Sequence, residues 1–260
     1  MPTVATIAAF LEELAPLRLA EEWDNVGLLV GNHGRTVKKL MTCLTVTPAS
    51  ASEAIDGGAD LIVTHHPMPF LALKRVTDDT TVGRVLLELI AAHVAVYSPH
   101  TAFDSAREGV NERLAKGLGL HGIMPLLPQP EGQGTGRWGW VADEIALGEL
   151  AQRLKQFLAI ERLQTVGEPS QPIRTVAIGC GAADELLDAA RQNGCDAMVL
   201  GEARFHTCLE AEAAGIGLLL PGHFASERFA VEGLAECLGK QFADVAVWSS
   251  RRERDPIRWG

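Results

Sequence analysis

Cysteine is scarce in this chain of 260 residues: there are five, Cys43, Cys180, Cys195, Cys208 and Cys237, scattered and with no C-x-x-C pair. An odd, dispersed set suggests neither a zinc ribbon nor a disulfide framework, and it fits a reducing cytoplasm. Aromatic residues make up only 5%, so the core is expected to be mostly Leu, Val, Ile and Ala. No apolar run is long enough to span a membrane. The N-terminus is a short amphipathic pattern with Glu12 and Glu13, unlike a signal peptide. Basic charge is short as well: 23 Lys and Arg against 33 Asp and Glu leave a net charge of −10. That balance argues against a general binder of nucleic acid or anionic membrane. What remains is ordinary for a soluble protein with one large domain or two modest ones: 47% hydrophobic and 22% charged residues.

The chain is organised around Asp60–His66, D-L-I-V-T-H-H. Leu61 to Val63 read as a short buried strand of a parallel sheet. Pro67 cannot continue a central ladder, so His65 and His66 fall at the strand's carboxyl end, where ligands bind in open α/β sheets. Around it, strand and helix alternate: a helix from Thr3 to Pro16, a loop over Ala20–Gly31, a strand at Lys39–Val46, a helix over Ala49–Asp56. A helix over Thr80–His93, a strand at Val94–Ser98 and a helix over Glu108–Leu118 follow. The loop carries Trp23, Asp24 and Asn25; it is either a site wall or a tryptophan anchor to the core. Leu126–Gly139, rich in Pro and Gly, is the best domain boundary, and its Arg137 is a weak anion-binding candidate. The second half repeats the alternation and ends in a tail with Arg251, Arg252 and Arg254, expected to be solvated or a subunit contact.

The halves also match in detail. G-A-D-L-I-V-T-H-H (Gly58–His66) aligns with G-C-D-A-M-V-L-G-E (Gly194–Glu202), and A-V-Y-S-P-H-T-A-F-D (Ala95–Asp104) with L-L-L-P-G-H-F-A-S-E ending at Glu227. His100 then falls on His223 and Asp104 on Glu227, so each half ends a strand in His-x-x-x-carboxylate, on one face of a helix start. The fold class expected is α/β: two similar lobes with mostly parallel sheets, related by a pseudo-repeat, with a site in the cleft between them. Residues 1–125 form the first lobe, with 225–260 packing back on it, and 126–224 the second. His65, His66, His100, Asp104, His223 and Glu227 are a mixed imidazole and carboxylate set, which suits Zn, Mn, Fe, Co or Ni better than Ca or Mg. Two such ions would need a bridging carboxylate and could share a hydroxide nucleophile.

W-D-N-V-G-L, T-H-H-P, S-P-H-T-A-F-D followed by G-V-N-E-R-L-A, and G-H-F-A-S-E, in this order along essentially the whole chain, resemble the dinuclear-metal-centre hexameric proteins. This is the NGG-interacting factor family, homologues of type 2 GTP cyclohydrolase I, and the chain resembles its short form without an inserted domain. The resemblance implies His65 and His66 as ligands, one per metal, Asp104 and His223 as ligands of one metal each, and Glu227 as the carboxylate joining the two. It places His100 beside the metals, either behind the ligands or as a proton-transfer group, with Asn25 and His206 as cleft residues. It further implies two divalent ions per chain (Zn, Fe or Mn), a toroidal homohexamer, and a hydrolase with an unknown, nucleotide-like small-molecule substrate. The alternatives are a non-catalytic metal-binding assembly, a partner-binding protein or a metal carrier. In C-L-T-V-T, Thr45 stands where an Asp is expected; a threonine is neither a strong ligand nor a base.

Overall fold

The computed structural model describes residues 1–258. The chain divides into two compact units: Met1–Phe103 together with the chain from Ala230 onward, and Asp104–Phe229. The first unit opens with α1 (Val4–Leu14), β1 (Gly27–Val30), β2 (Lys39–Cys43), α2 (Pro48–Gly57), β3 (Leu61–Thr64), α3 (Thr81–Ala91), β4 (Ala95–Ser98) and α4 (His100–Ser105). Then come α5 (Val110–Gly117), β5 (His121–Met124), β6 (Leu127–Gln129), β7 (Gln133–Thr135), β8 (Arg137–Ala146), α6 (Leu147–Leu158) and β9 (Gln164–Val166). β10 (Pro172–Gly179), α7 (Leu187–Gln192), β11 (Ala197–Leu200), α8 (Phe205–Ala214), β12 (Gly217–Leu220), α9 (His223–Gln241) and β13 (Ala246–Ser249) complete the chain. The passages between units fall inside α4 and α9.

In the first unit the sheet order is β1-β4-β3-β2-β13. β4, β3, β2 and β13 run parallel, and β1 closes the edge antiparallel to β4. β3 and β4 are buried at every residue, which is why they read as unbroken apolar runs rather than alternating ones. Helix starts are set locally. Thr3 and Thr6 cap α1 reciprocally, and Thr47 does the same with Ser50 ahead of Pro48 at the start of α2. Gly58, at φ +66°, ends α2 in the left-handed region.

In the second unit the order is β5-β8-β10-β11-β12-β9. β10, β11 and β12 form the parallel core, flanked by antiparallel strands. The pseudo-repeat extends to single hydrogen bonds. Asp60 Oδ2 accepts from the amides of Lys38 and Lys39, and Asp196 Oδ2 accepts from those of Arg174 and Thr175.

Two expectations are corrected here. The first passage between units falls after Phe103, not at residue 125, because α5 and β5 pack with β8 and β10 of the second unit. The Pro/Gly-rich stretch is therefore internal to that unit and folds as the β6–β7 hairpin. Arg137 is no anion site. It is 1% exposed, and its guanidinium donates to the carbonyls of Gly134, Gly136, Ser105 and Ala106 and to Glu112. Its donors are consumed in tying the hairpin to the end of α4.

Candidate metal centre

In the first unit the apolar run of β3 delivers His65 and His66 to its carboxyl end, and the backbone there is fixed. The His65 amide donates to Cys43 O and the His66 amide to Leu44 O. Ser98 Oγ donates to His65 O at 2.6 Å, and Thr64 Oγ1 to His66 O at 3.1 Å. β4 delivers the third histidine: after Ser98 and Pro99, α4 begins on His100 itself, at φ +26°. Each of the three rings offers one nitrogen, and these nitrogens lie within 4.8 Å of one another. His65 and His100 are 3% and 8% exposed, so the cluster is largely sheltered from water.

A carboxylate stands behind His100. Asp24 Oδ1 is 2.8 Å from His100 Nδ1, and its other oxygen accepts from the Thr101 amide and hydroxyl. Burial pushes the Asp24 carboxyl up, but the hydrogen bonds from His100 and Thr101 prevail and hold it below the ordinary carboxylate range. An ionised Asp24 accepts the Nδ1 proton of His100 and so turns the lone pair of Nε2 outward, the arrangement by which carboxylates orient working histidines. The loop is thus anchored by Asp24, while Trp23 is 61% exposed, with its ring against Phe70 and His100. Asn25 is a brace, its Nδ2 donating to Pro69 O at 2.8 Å.

Thr45 is not idle. Its Oγ1 lies 2.7 Å from His66 Nδ1. The arginines of the tail are exposed, as expected, but the tail's backbone is anchored. Ser250 and Glu253 are buried, Glu53 holds the amides of Arg251 and Arg252, and Glu253 grips the amides of Leu44 and Thr45. Its arginines suggested a solvated surface, but the residues that anchor it are a serine and a glutamate.

In the second unit β12 and Pro221-Gly222 deliver His223, the first residue of α9, and Glu227 one turn later. His223 Nε2 is 3.2 Å from Glu227 Oε2, and its Nδ1 is 3.1 Å from Glu202 Oε1 at the end of β11. Hydrogen bonding to Glu227, then to Glu202, outweighs burial and raises His223 to about 9. Asp104 belongs to the same neighbourhood: burial first, then the charges of Glu227 and Asp104, keep the Cys180 thiol protonated. His206 sits exposed on α8 beside Phe205, outside the donor groups found among the described residues.

These donors fit a metal. Imidazole nitrogens within 4.8 Å of one another and carboxylates one helical turn from a histidine are borderline to hard ligands that suit zinc, iron or manganese. Of the residues singled out in the sequence, His65, His66 and His100 share one donor group, and His223 lies 3.2 Å from Glu227. Sequence reasoning left Asp24 undecided and missed Glu202 and Glu253.

Comparison with known proteins gives the family. The model of the Duf34/NIF3 (NGG1p interacting factor 3) family matches residues 2–256. The chain belongs to the Duf34/NIF3 family. A Clostridium perfringens relative named GTP cyclohydrolase 1 type 2 homolog is 31% identical over 97% of this chain and 98% of its own. The Drosophila melanogaster NIF3-like protein 1 is 32% identical over 98% of this chain and 88% of its own. The crystal structure of Staphylococcus aureus protein SA1388 superimposes with a TM-score of 0.90 at 26% identity, covering 99% of each chain. The α/β architecture with its parallel-strand cores is therefore the Duf34/NIF3 fold. No helix among the described residues is long and apolar enough to cross a membrane.

Proposed function

We propose that this Duf34/NIF3 protein is a metal-dependent hydrolase that binds two divalent ions per chain through His65, His66, Asp104, His223 and Glu227. The observation that carries the reading is the sheltered three-histidine cluster with Asp24 behind one of its members. When bound, such ions acidify water so that it attacks as a nucleophile at neutral pH. His100 would accept a proton at Nε2 and return it to the leaving group, while Asp24 keeps Nδ1 protonated and the ring in place. Glu227 would be the carboxylate that serves both ions, and Glu202 holds His223 at its other ring nitrogen. The name of the Clostridium perfringens relative supports a nucleotide-like substrate. The assembly is a homohexamer, which light scattering tests directly.

The deciding experiment is metal content per chain, in protein purified without a metal-affinity tag, for wild type, His65→Ala and Glu227→Ala. About two transition-metal ions in wild type, falling sharply in both variants, is the expected result. Hydrolysis of a nucleotide, phosphoester and amide panel is then screened with that metal. Wild type that holds no metal and rebinds none from Zn, Mn or Fe overturns the reading.

A second reading, a metal carrier or partner-binding protein without turnover, draws on the apolar rim beside the histidines. Trp23, Phe70 and Leu71 are 61%, 49% and 71% exposed, an apolar surface of the kind that docks partners. It expects bound zinc to pass to a chelating acceptor while the whole hydrolysis panel stays silent.

A further inference from the structure

We propose that Thr45 and Glu253 are positioning residues for His66: Thr45 sets the tautomer of its ring, and Glu253 holds the strand end on which that ring depends. The inference rests on the reading of His66 as a metal ligand and names what makes it one.

A histidine ligates through a nitrogen lone pair, so its other ring nitrogen must carry the proton and needs an acceptor. Thr45 Oγ1 lies 2.7 Å from His66 Nδ1. A hydroxyl can accept the Nδ1 proton there, leaving the lone pair on Nε2 for a ligand. Unlike a carboxylate, it does so without adding charge.

The hydroxyl works only if Thr45 stays in place, and the chain supplies the restraint from its far end. Glu253 is 6% exposed, and its carboxylate accepts from the Thr45 amide at 2.6 Å and the Leu44 amide at 2.9 Å. Leu44 in turn accepts the amide of His66 at 2.8 Å and the hydroxyl of Thr64 at 3.2 Å. One carboxylate therefore reaches His66 twice, through the Leu44 carbonyl to its backbone and through Thr45 to its ring. The tail is itself anchored, since Glu53 accepts from the Ser250 hydroxyl at 2.6 Å and from the Arg251 amide at 2.9 Å. A buried carboxylate spending its oxygens on two amides beside a candidate ligand has a clearer task in positioning than in solubility.

The test compares wild type with Thr45→Val, Thr45→Ser and Glu253→Gln. Two readouts are taken: the zinc dissociation constant by competition with a chromogenic chelator, and the His66 tautomer in metal-free protein by long-range 1H–15N NMR. Wild type is expected to carry its proton on Nδ1. Thr45→Val, which keeps the shape and removes the acceptor, should lose that preference and weaken zinc binding about 10- to 100-fold. Thr45→Ser should restore both. Glu253→Gln should keep the tautomer, because the hydroxyl remains, but broaden the His66 signals and weaken zinc by a smaller factor.

An unchanged tautomer and zinc affinity in Thr45→Val, in protein with wild-type circular dichroism, overturns the proposal. If wild type binds no zinc, the metal reading falls. The tautomer in Thr45→Val still decides whether Thr45 orients the ring.

Discussion

The two strand-to-helix corners are built on one plan and differ in what they leave room for. In the first unit β4 leads through Pro99 into α4, and His100 itself takes the unusual φ of +26°. In the second, β12 leads through Pro221, and Gly222 takes φ +100° so that His223 does not have to. A non-glycine residue in that region stores strain, of order 1–3 kcal/mol, and such strain gathers at working residues. The neighbouring strand ends diverge too. The alignment sets His65 and His66 against Gly201 and Glu202. A Cβ at Gly201 would lie 2.5 Å from Gly181 O and 2.6 Å from Ser226 Oγ. The second corner is therefore packed too tightly for a second histidine, while the first holds three rings. Duplicated topology supplied two equivalent frames, and local packing decided which of them became rich in imidazole.

That contrast breaks most visibly at His100. If it moves protons, His100→Ala should lower turnover on any substrate the screen identifies by roughly 10²–10⁴-fold. An unchanged rate would make the two corners equal in role. Next in size is Asp24→Ala, which leaves His100 without its buried partner. Urea unfolding should show a loss of about 1–3 kcal/mol, as when a buried polar group is left without its hydrogen-bond partner. A loss under about 1 kcal/mol would mean that Thr101 and backbone groups hold the corner.

On the second corner, Gly181→Ala would place a Cβ 2.2 Å from Glu227 Oε1. The carboxylate must move, and zinc affinity measured by chelator competition should fall by about tenfold or more, as with other displaced metal-site partners. Gly222→Ala is the milder control. Its Cβ would meet nothing within 4 Å, so only backbone strain remains, roughly 1–2 kcal/mol in thermal unfolding.

The smallest effect is one of pH. His223 gains its partners on folding and is raised to about 9, so in metal-free protein its contribution to stability is fully present below its unfolded value, near 6.5. It is lost as pH rises through about 9. Glu227→Gln should bring the His223 titration, followed by NMR, back toward that unfolded value. A titration unmoved by the substitution would assign the shift to Glu202.

Much of this was legible beforehand because it is written in local pattern. The three-residue apolar run Leu61–Val63, with Pro67 beyond it, placed His65 and His66 at a strand end, and the repeated His-x-x-x-carboxylate placed His100, Asp104, His223 and Glu227 at helix starts. The misreadings share a cause. Side-chain charge alone makes Arg137 an anion candidate, and its surroundings reverse that because carbonyls occupy its donors; charge likewise says nothing of the tail's backbone, which Glu53 and Glu253 hold while its arginines stay exposed. Thr45 was read as the loss of an acid, whereas its hydroxyl meets the ring that an acid there would be expected to serve.

The sequence by itself determined which segments become strands and helices and which donors stand at their ends, since periodicity, caps and proline act over a few residues. Only the tertiary structure decided which carboxylate stands behind which histidine and which acid holds which strand end. Asp24 meets His100 across 76 residues and Glu253 meets Thr45 across 208. No local preference reaches over such distances. Those pairings follow from the packing of the sheet, and the hydrogen bonds then hold what the packing has brought together.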